Sequence, residues 1–182
     1  MADDQYQLEG TAPRLFERDN AGPLVVRVGL ISDTHGLLRP EAKAFLGGCA
    51  HIVHGGDIGH AGILDELAAL APLTAVRGNN DRGAWAERVR ETELLEVGGV
   101  RVYAIHDLAE LDVEPAAAGI RVVVSGHSHK PRVVERGGVL FVNPGSAGPR
   151  RFKLPISVAE LVIADSGAVS ARIVELPPRA AG

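Results

Sequence analysis

Seven side chains in this 182-residue chain could ligate divalent cations, and each lies just beyond an apolar run: Asp33 and His35, Asp57, Asn79, His106, and His127 and His129. Carboxylate oxygen, amide oxygen and imidazole nitrogen suit divalent transition metals. Seven such donors are enough for two ions and too many for one tetrahedral zinc. The single cysteine, Cys49, lies outside every cluster, which argues against a thiolate-bound structural zinc. Brought to one buried point without cations, two carboxylates and four imidazoles would leave charge and polar groups poorly compensated. Taken alone, Ser32-Asp33-Thr34-His35-Gly36 reads as an ordinary turn with Asp33 on backbone amides and His35 in solvent. Recurrence of the pattern at four more strand ends is what points to a shared site.

The elements that must carry these residues are legible from periodicity. Leu24 to Ile31 is an apolar, β-branched run that reads as a buried strand, and alternation beyond it would point Asp33 and His35 the same way. Arg39-Pro40-Glu41 opens a helix with Ala42, Phe45 and Leu46 as its apolar stripe, ended by Gly47-Gly48. Ile52-Val53-His54 is a short strand running into Gly55-Gly56-Asp57. Apolar residues from Ile63 to Ala71 recur at helical spacing up to Pro72, and Leu73 to Val76 is a third strand ending in Arg77-Gly78-Asn79-Asn80-Asp81. Leu94–Val97 and Val100–Ile105 flank Gly98-Gly99 as a hairpin that delivers His106-Asp107. Pro115 to Gly119 has room for about one helical turn, and Ile120 to Val124 is a strand stopping at Ser125-Gly126-His127-Ser128-His129. Strands alternating with helices predict parallel pairing in an α/β arrangement, with ligands bound beyond the carboxyl ends of the strands at a common edge. After His129 the pattern is β alone, closing with a hairpin of Ser157–Ile163 and Ala168–Val174.

Composition bounds the rest. The chain is 46% hydrophobic and 23% charged, as expected of a globular domain, with a formal net charge of −4. That charge offers no general attraction to nucleic acid or an anionic membrane. No apolar run approaches the ~20 residues of a membrane span, and the N-terminus lacks the features of a signal peptide. One cysteine allows no internal disulfide. A cytoplasmic protein is expected. Residues 1–22 read as an N-terminal extension, 23–176 as the folded domain and 177–182 as a frayed end.

Asp33-x-His35, Gly56-Asp57, Gly78-Asn79-x-Asp81, His106 and Gly126-His127-x-His129, in that order, resemble the motifs of the calcineurin-like metallophosphoesterase superfamily. The resemblance is to its small single-domain bacterial and archaeal phosphodiesterases. It implies an α/β fold of two packed mixed β-sheets flanked by helices, a four-layer α/β/β/α sandwich. It implies one metal on Asp33, His35, Asp57 and His129, and a second on Asp57, Asn79, His106 and His127, with Asp57 bridging. The cofactors implied are two divalent transition-metal ions, with manganese favoured over iron, nickel or zinc. The activity implied is hydrolysis of a phosphoester, foremost a phosphodiester, by attack of a metal-bound hydroxide, and the site near Asp57, Asn79, Asn80 and Asp81 would carry it. A phosphomonoesterase or nucleotidase is one alternative. A protein-binding scaffold is another, because the superfamily includes a non-catalytic retromer subunit with a degraded ligand set. Substrate, native metal and oligomeric state, including a homo-oligomer, stay open.

Several residues depart from the pattern or invite a plainer reading. Many relatives carry a histidine acid where this chain has Asn80, and an amide cannot protonate a leaving group. Asp107 stands where glycine is frequent, and either orients His106 or caps a turn, with the turn preferred. His51 reads as an exposed surface residue, while His54 and His60 flank the Asp57 motif and are weighed as substrate contacts. Asn143-Pro144-Gly145-Ser146 suits a structural turn at least as well as a phosphate contact. Arg82, Lys130, Arg150 and Arg151 are candidate phosphate binders weighed against solvated surface charge.

Overall fold

The apolar run expected to open the domain forms β1 (Val25–Ile31) in the computed structural model, which describes residues 25–151 and 153–177. The expected extension over 1–22 and the last five residues lie outside that range. Helix α1 (Pro40–Leu46) starts with proline at its first position, where the missing N–H costs nothing, and buries Ala42 and Leu46. Strand β2 (His51–His54) follows, then α2 (Ala61–Ala68), whose buried residues Ile63 and Leu67 stand one helical turn apart on one face. Next come β3 (Leu73–Ala75), β4 (Thr92–Val97), β5 (Val100–Ile105) and β6 (Ile120–Val124). The chain closes with β7 (Arg132–Arg136), β8 (Val139–Asn143), β9 (Ser157–Ala164) and β10 (Val169–Glu175).

These strands make two five-stranded mixed sheets, ordered β10-β9-β1-β2-β3 and β4-β5-β6-β8-β7. In the first, β1, β2 and β3 are parallel and β9 and β10 add antiparallel. In the second, β5, β6 and β8 are parallel, with β4 and β7 antiparallel at the edges. Period-two alternation decides what each sheet face buries. Val26, Val28 and Leu30 of β1 pack against Val102, Ala104, Val122 and Val124 of the other sheet, forming the core between the layers. Ile31 and Ile52 face the other way, onto Leu46 of α1 and Ile63 and Leu67 of α2.

The outer face of the second sheet is covered differently. There Tyr103, Ile105 and Val123 pack under Leu111 and Val113 of the long β5–β6 connection, which contains one short 3₁₀ turn, Leu108–Glu110. Pro115–Gly119 is a run of turns, in which Ala118 N–H meets the Glu114 carbonyl at 3.1 Å as in a single helical turn and Ile120 N–H closes onto the Pro115 carbonyl at 2.8 Å. Five residues from a proline to a glycine are too few to propagate a helix beyond that first turn. Both α-helices pack on the first sheet, and the outer face of the second is covered by turns and this 3₁₀ turn.

Candidate metal centre

The candidate ligands come from two sheets. Asp33 and His35 follow β1, Asp57 follows β2 and Asn79 follows β3, while His106 follows β5 and His127 and His129 follow β6. The carboxyl ends of both parallel sets meet at one end of the sandwich, so the single sheet edge expected from strand alternation is replaced by a seam between two sheets. Backbone pairing continues past the strands and holds the ligand loops together. Asp33 N–H donates to Gly56 O and His35 N–H to Asp57 O, each at 2.9 Å, and Gly126 N–H donates to His106 O at 2.9 Å. Asp33, His35, Asp57, His127 and His129 have φ between 45° and 64°, and among the described residues no other non-glycine has positive φ. Such conformations cost roughly 1–3 kcal/mol each and persist where the surroundings impose them. All five are candidate ligands.

One donor each from Asp33, His35, Asp57 and His129 lie within 4.8 Å of one another. His35 Nε2 is 3.3 Å from His129 Nε2, and His129 Nε2 is 3.2 Å from Asp33 Oδ1. On the other side, Asn79 Oδ1 sits 3.1 Å from both His106 Nε2 and His127 Nδ1. The two halves meet at Asp57, whose Oδ2 lies 3.8 Å from His35 Nε2 and whose Oδ1 lies 3.5 Å from His106 Nε2. His106 Nδ1 is 2.7 Å from the Gly55 carbonyl and must donate to it, which leaves Nε2 as a lone-pair donor toward the cluster. Asp33 Oδ1 is buried with no hydrogen-bond partner. A buried carboxylate oxygen without a donor, beside inward-facing imidazole nitrogens, is the chemistry that a divalent cation satisfies. Close approach also requires glycine here: a Cβ on Gly78 would stand 2.2 Å from Asp57 Oδ1, and one on Gly126 2.8 Å from Asp33 Oδ2.

Residues 26–166 match the model of the calcineurin-like phosphoesterase superfamily domain. The chain belongs to the calcineurin-like phosphoesterase superfamily. A probable metallophosphoesterase of Methanothermobacter thermautotrophicus is 37% identical over 141 residues, spanning 70% of this chain and 81% of that protein. Among solved structures, a novel archaeal phosphodiesterase superposes with a TM-score of 0.66 at 20% identity, covering 82% of this chain and all of the other. Wild-type Vps29 of Entamoeba histolytica, complexed with zinc, superposes with a TM-score of 0.62 at 25% identity, covering 82% and 99%. The two-sheet α/β sandwich is the fold of this superfamily.

Around the candidate donors, several side chains of this superfamily member hold one another in place. Asn80 donates its backbone N–H to Asp57 Oδ1 and its side-chain N–H to Asp57 Oδ2. Burial alone would raise the Asp57 carboxyl, but the contact with His106 and the hydrogen bonds from Asn80 outweigh it and hold the group below the usual carboxylate range. The same contact with Asp57 raises His106 against the lowering effect of its own burial. Burial lowers His35, and the charge of Arg151 adds to that lowering. Both Asp81 oxygens accept amides, from Gly59 at 2.9 Å and Gly78 at 2.8 Å, so Asp81 clips the β2 and β3 loops together.

Other residues singled out in the sequence fall in several places. His54 is fully buried behind the site, with Nε2 3.0 Å from Thr34 Oγ1 and Nδ1 accepting the Gly56 N–H, and burial pushes it down to about 4. A histidine closing a strand gives no local sign of such bracing. His51 is half-buried and lies 2.9 Å from Thr74 Oγ1, away from the cluster, and His60 is exposed at the start of α2. Asn143 closes its turn by accepting Gly145 N–H and ties it to Gly126 O. Asp107 caps the 3₁₀ turn through Ala109 N–H, and its Oδ2 faces His127 rather than His106. A cavity of about 880 Å³ opens from Asn79, His106 and His127 and continues past Arg82 and Tyr103 to Asp112. Lys130 is exposed outside that lining.

Proposed function

We propose that this chain is a two-metal phosphodiesterase. The observation that carries the reading is Asp57, whose two oxygens face two separate sets of donors. Asp33, His35 and His129 would hold one divalent ion with Asp57, and Asn79, His106 and His127 the other. Mixed N and O donors suit manganese foremost, with iron, nickel or zinc as alternatives. Bound there, such ions supply Lewis acidity toward phosphoryl oxygens and lower the pKa of water toward ~7.

The protein's own part is placement and charge. The carboxyl ends of β1, β2, β3, β5 and β6 each present a donor, and Asn80 keeps Asp57 ionised and oriented. The open cavity of about 880 Å³ beside Asn79, His106 and His127 is large enough for a phosphodiester. Asn80 donates its amide to Asp57 and has no acidic proton to give, so the leaving oxygen departs on its own basicity. Substrates with acidic leaving groups are favoured accordingly.

A protein-binding scaffold is the second reading, prompted by the likeness to Vps29 structures. Metal binding does not separate the two, since one of those structures contains zinc. Turnover does. The test is a series of aryl phosphodiesters with manganese, in the parent and in Asn80→His. Metal-dependent cleavage that depends steeply on the acidity of the phenol, flattened in Asn80→His, supports the reading. A flat dependence in the parent overturns the leaving-group argument, absence of metal-dependent turnover favours the scaffold, and preference for monoesters favours a phosphomonoesterase.

A further inference from the structure

The segment after Gly148 sends its cations to different places. Arg151 acts on His35, whereas Arg150 and Lys153 line a separate cavity of about 590 Å³ with Arg39. None of the seven candidate metal ligands lines it. Arg39 is the unusual member: it is only 9% exposed, and its side-chain hydrogen bond runs from Nε to the Gly148 carbonyl at 3.1 Å. Among the described residues it forms no ion pair. Glu41, two positions on, keeps buried Oε2 without a partner instead of pairing with it. A largely buried guanidinium with no ion pair among the described residues is costly to keep charged and suits an anion.

The rest of the lining narrows the class of anion. Arginine offers a planar fork that matches phosphate, and Arg150 and Lys153 add exposed positive charge at the same wall. Pro155, Ile156 and Leu176 give an apolar surface suited to a flat ring, and Glu175 is the one carboxylate, able to accept a hydroxyl or an amine. The volume falls within the ~300–1,000 Å³ of small-molecule sites. We propose that this cavity binds a small phosphate-bearing organic anion of the nucleoside monophosphate class, with its phosphate on Arg39, Arg150 and Lys153 and its ring on the apolar wall.

Adenosine monophosphate is the probe, titrated into the zinc-loaded full chain and followed by amide shifts in heteronuclear NMR. Shifts are expected at Lys153, Ile156 and Leu176, the last two being joined by a 2.8 Å backbone hydrogen bond. Arg150→Ala with Lys153→Ala should weaken that binding by about tenfold or more. Both side chains are exposed, so this variant tests the site without disturbing the Arg39–Gly148 tie that Arg39→Met would break. Shifts confined to Asn79, His106 and His127, no shifts at all, or unchanged affinity in the double variant would each overturn the proposal. Inorganic phosphate binding as tightly as the nucleotide would overturn the assigned class. The outcome is independent of whether the metal centre hydrolyses phosphodiesters.

Discussion

Asn80 holds both oxygens of Asp57, its backbone N–H on Oδ1 at 2.8 Å and its side-chain N–H on Oδ2 at 2.7 Å. The side-chain bond fixes the carboxylate's plane between the two donor sets. Asn80→Ala keeps the backbone bond and removes the other. Metal affinity should fall by ~10- to 100-fold, as when a ligand's supporting hydrogen bond is lost, measured by competition with a chromogenic chelator. Unchanged affinity would show that Asn80 does not orient Asp57 for metal.

Asp57 faces both donor sets, whereas Asn79 and His127 belong to one. Elemental analysis of the reconstituted parent should approach two ions per chain. Asp57→Asn should retain less metal than Asn79→Ala or His127→Ala at the same metal concentration. Rates are to be compared at saturating metal, where loss of occupancy no longer masks a catalytic effect. Saturation of the parent at one ion would sink the two-metal mechanism.

Asp107 Oδ1 accepts the Ala109 N–H at 3.0 Å, while Oδ2 lies 3.6 Å from His127 Nε2. The second distance is too long for a hydrogen bond but places a negative charge behind a ring whose other nitrogen faces Asn79. Asp107→Asn keeps an acceptor for the turn and removes the charge; Asp107→Ala removes both. If the charge positions His127, both variants should weaken metal binding by ~10-fold or more. Only Asp107→Ala should also lower thermal stability, by ~1 kcal/mol. Wild-type metal affinity in Asp107→Asn would leave Asp107 as a turn cap alone.

Acid should destabilise the metal-free chain in two windows. Burial lowers His54 from 6.5 to about 4 in the folded state, so the unfolded chain takes up the proton first. Its contribution is full above pH 6.5 and is lost as pH falls toward about 4. Glu160 acts below that. Burial would raise its pKa, but Arg27 and Arg172 outweigh it and hold the group below 4.5, so its contribution is full above pH 4.5 and lost beneath. The melting temperature of His54→Gln should fall less steeply than the parent's through the upper window, and Glu160→Gln less steeply in the lower one. Parallel profiles for parent and His54→Gln would remove His54 from this account.

The local features of this protein were determined by sequence. Apolar runs made β1, β2, β3, β5 and β6 legible, and the polar residues that follow them include all seven candidate donors. Hydrophobic period reports which face of an element is buried, and that property belongs to a few consecutive residues. The partner across a seam belongs to residues tens of positions away and leaves no local mark. Tertiary structure alone therefore decided that His106, His127 and His129 arrive from a second sheet. It decided that Gly55 O selects the His106 tautomer, that Asn80 engages Asp57, and that Asp107 faces His127 instead of its neighbour. Positive φ at five of the ligands is the same lesson in the backbone: only long-range pairing can hold aspartate and histidine in a conformation their own sequence disfavours.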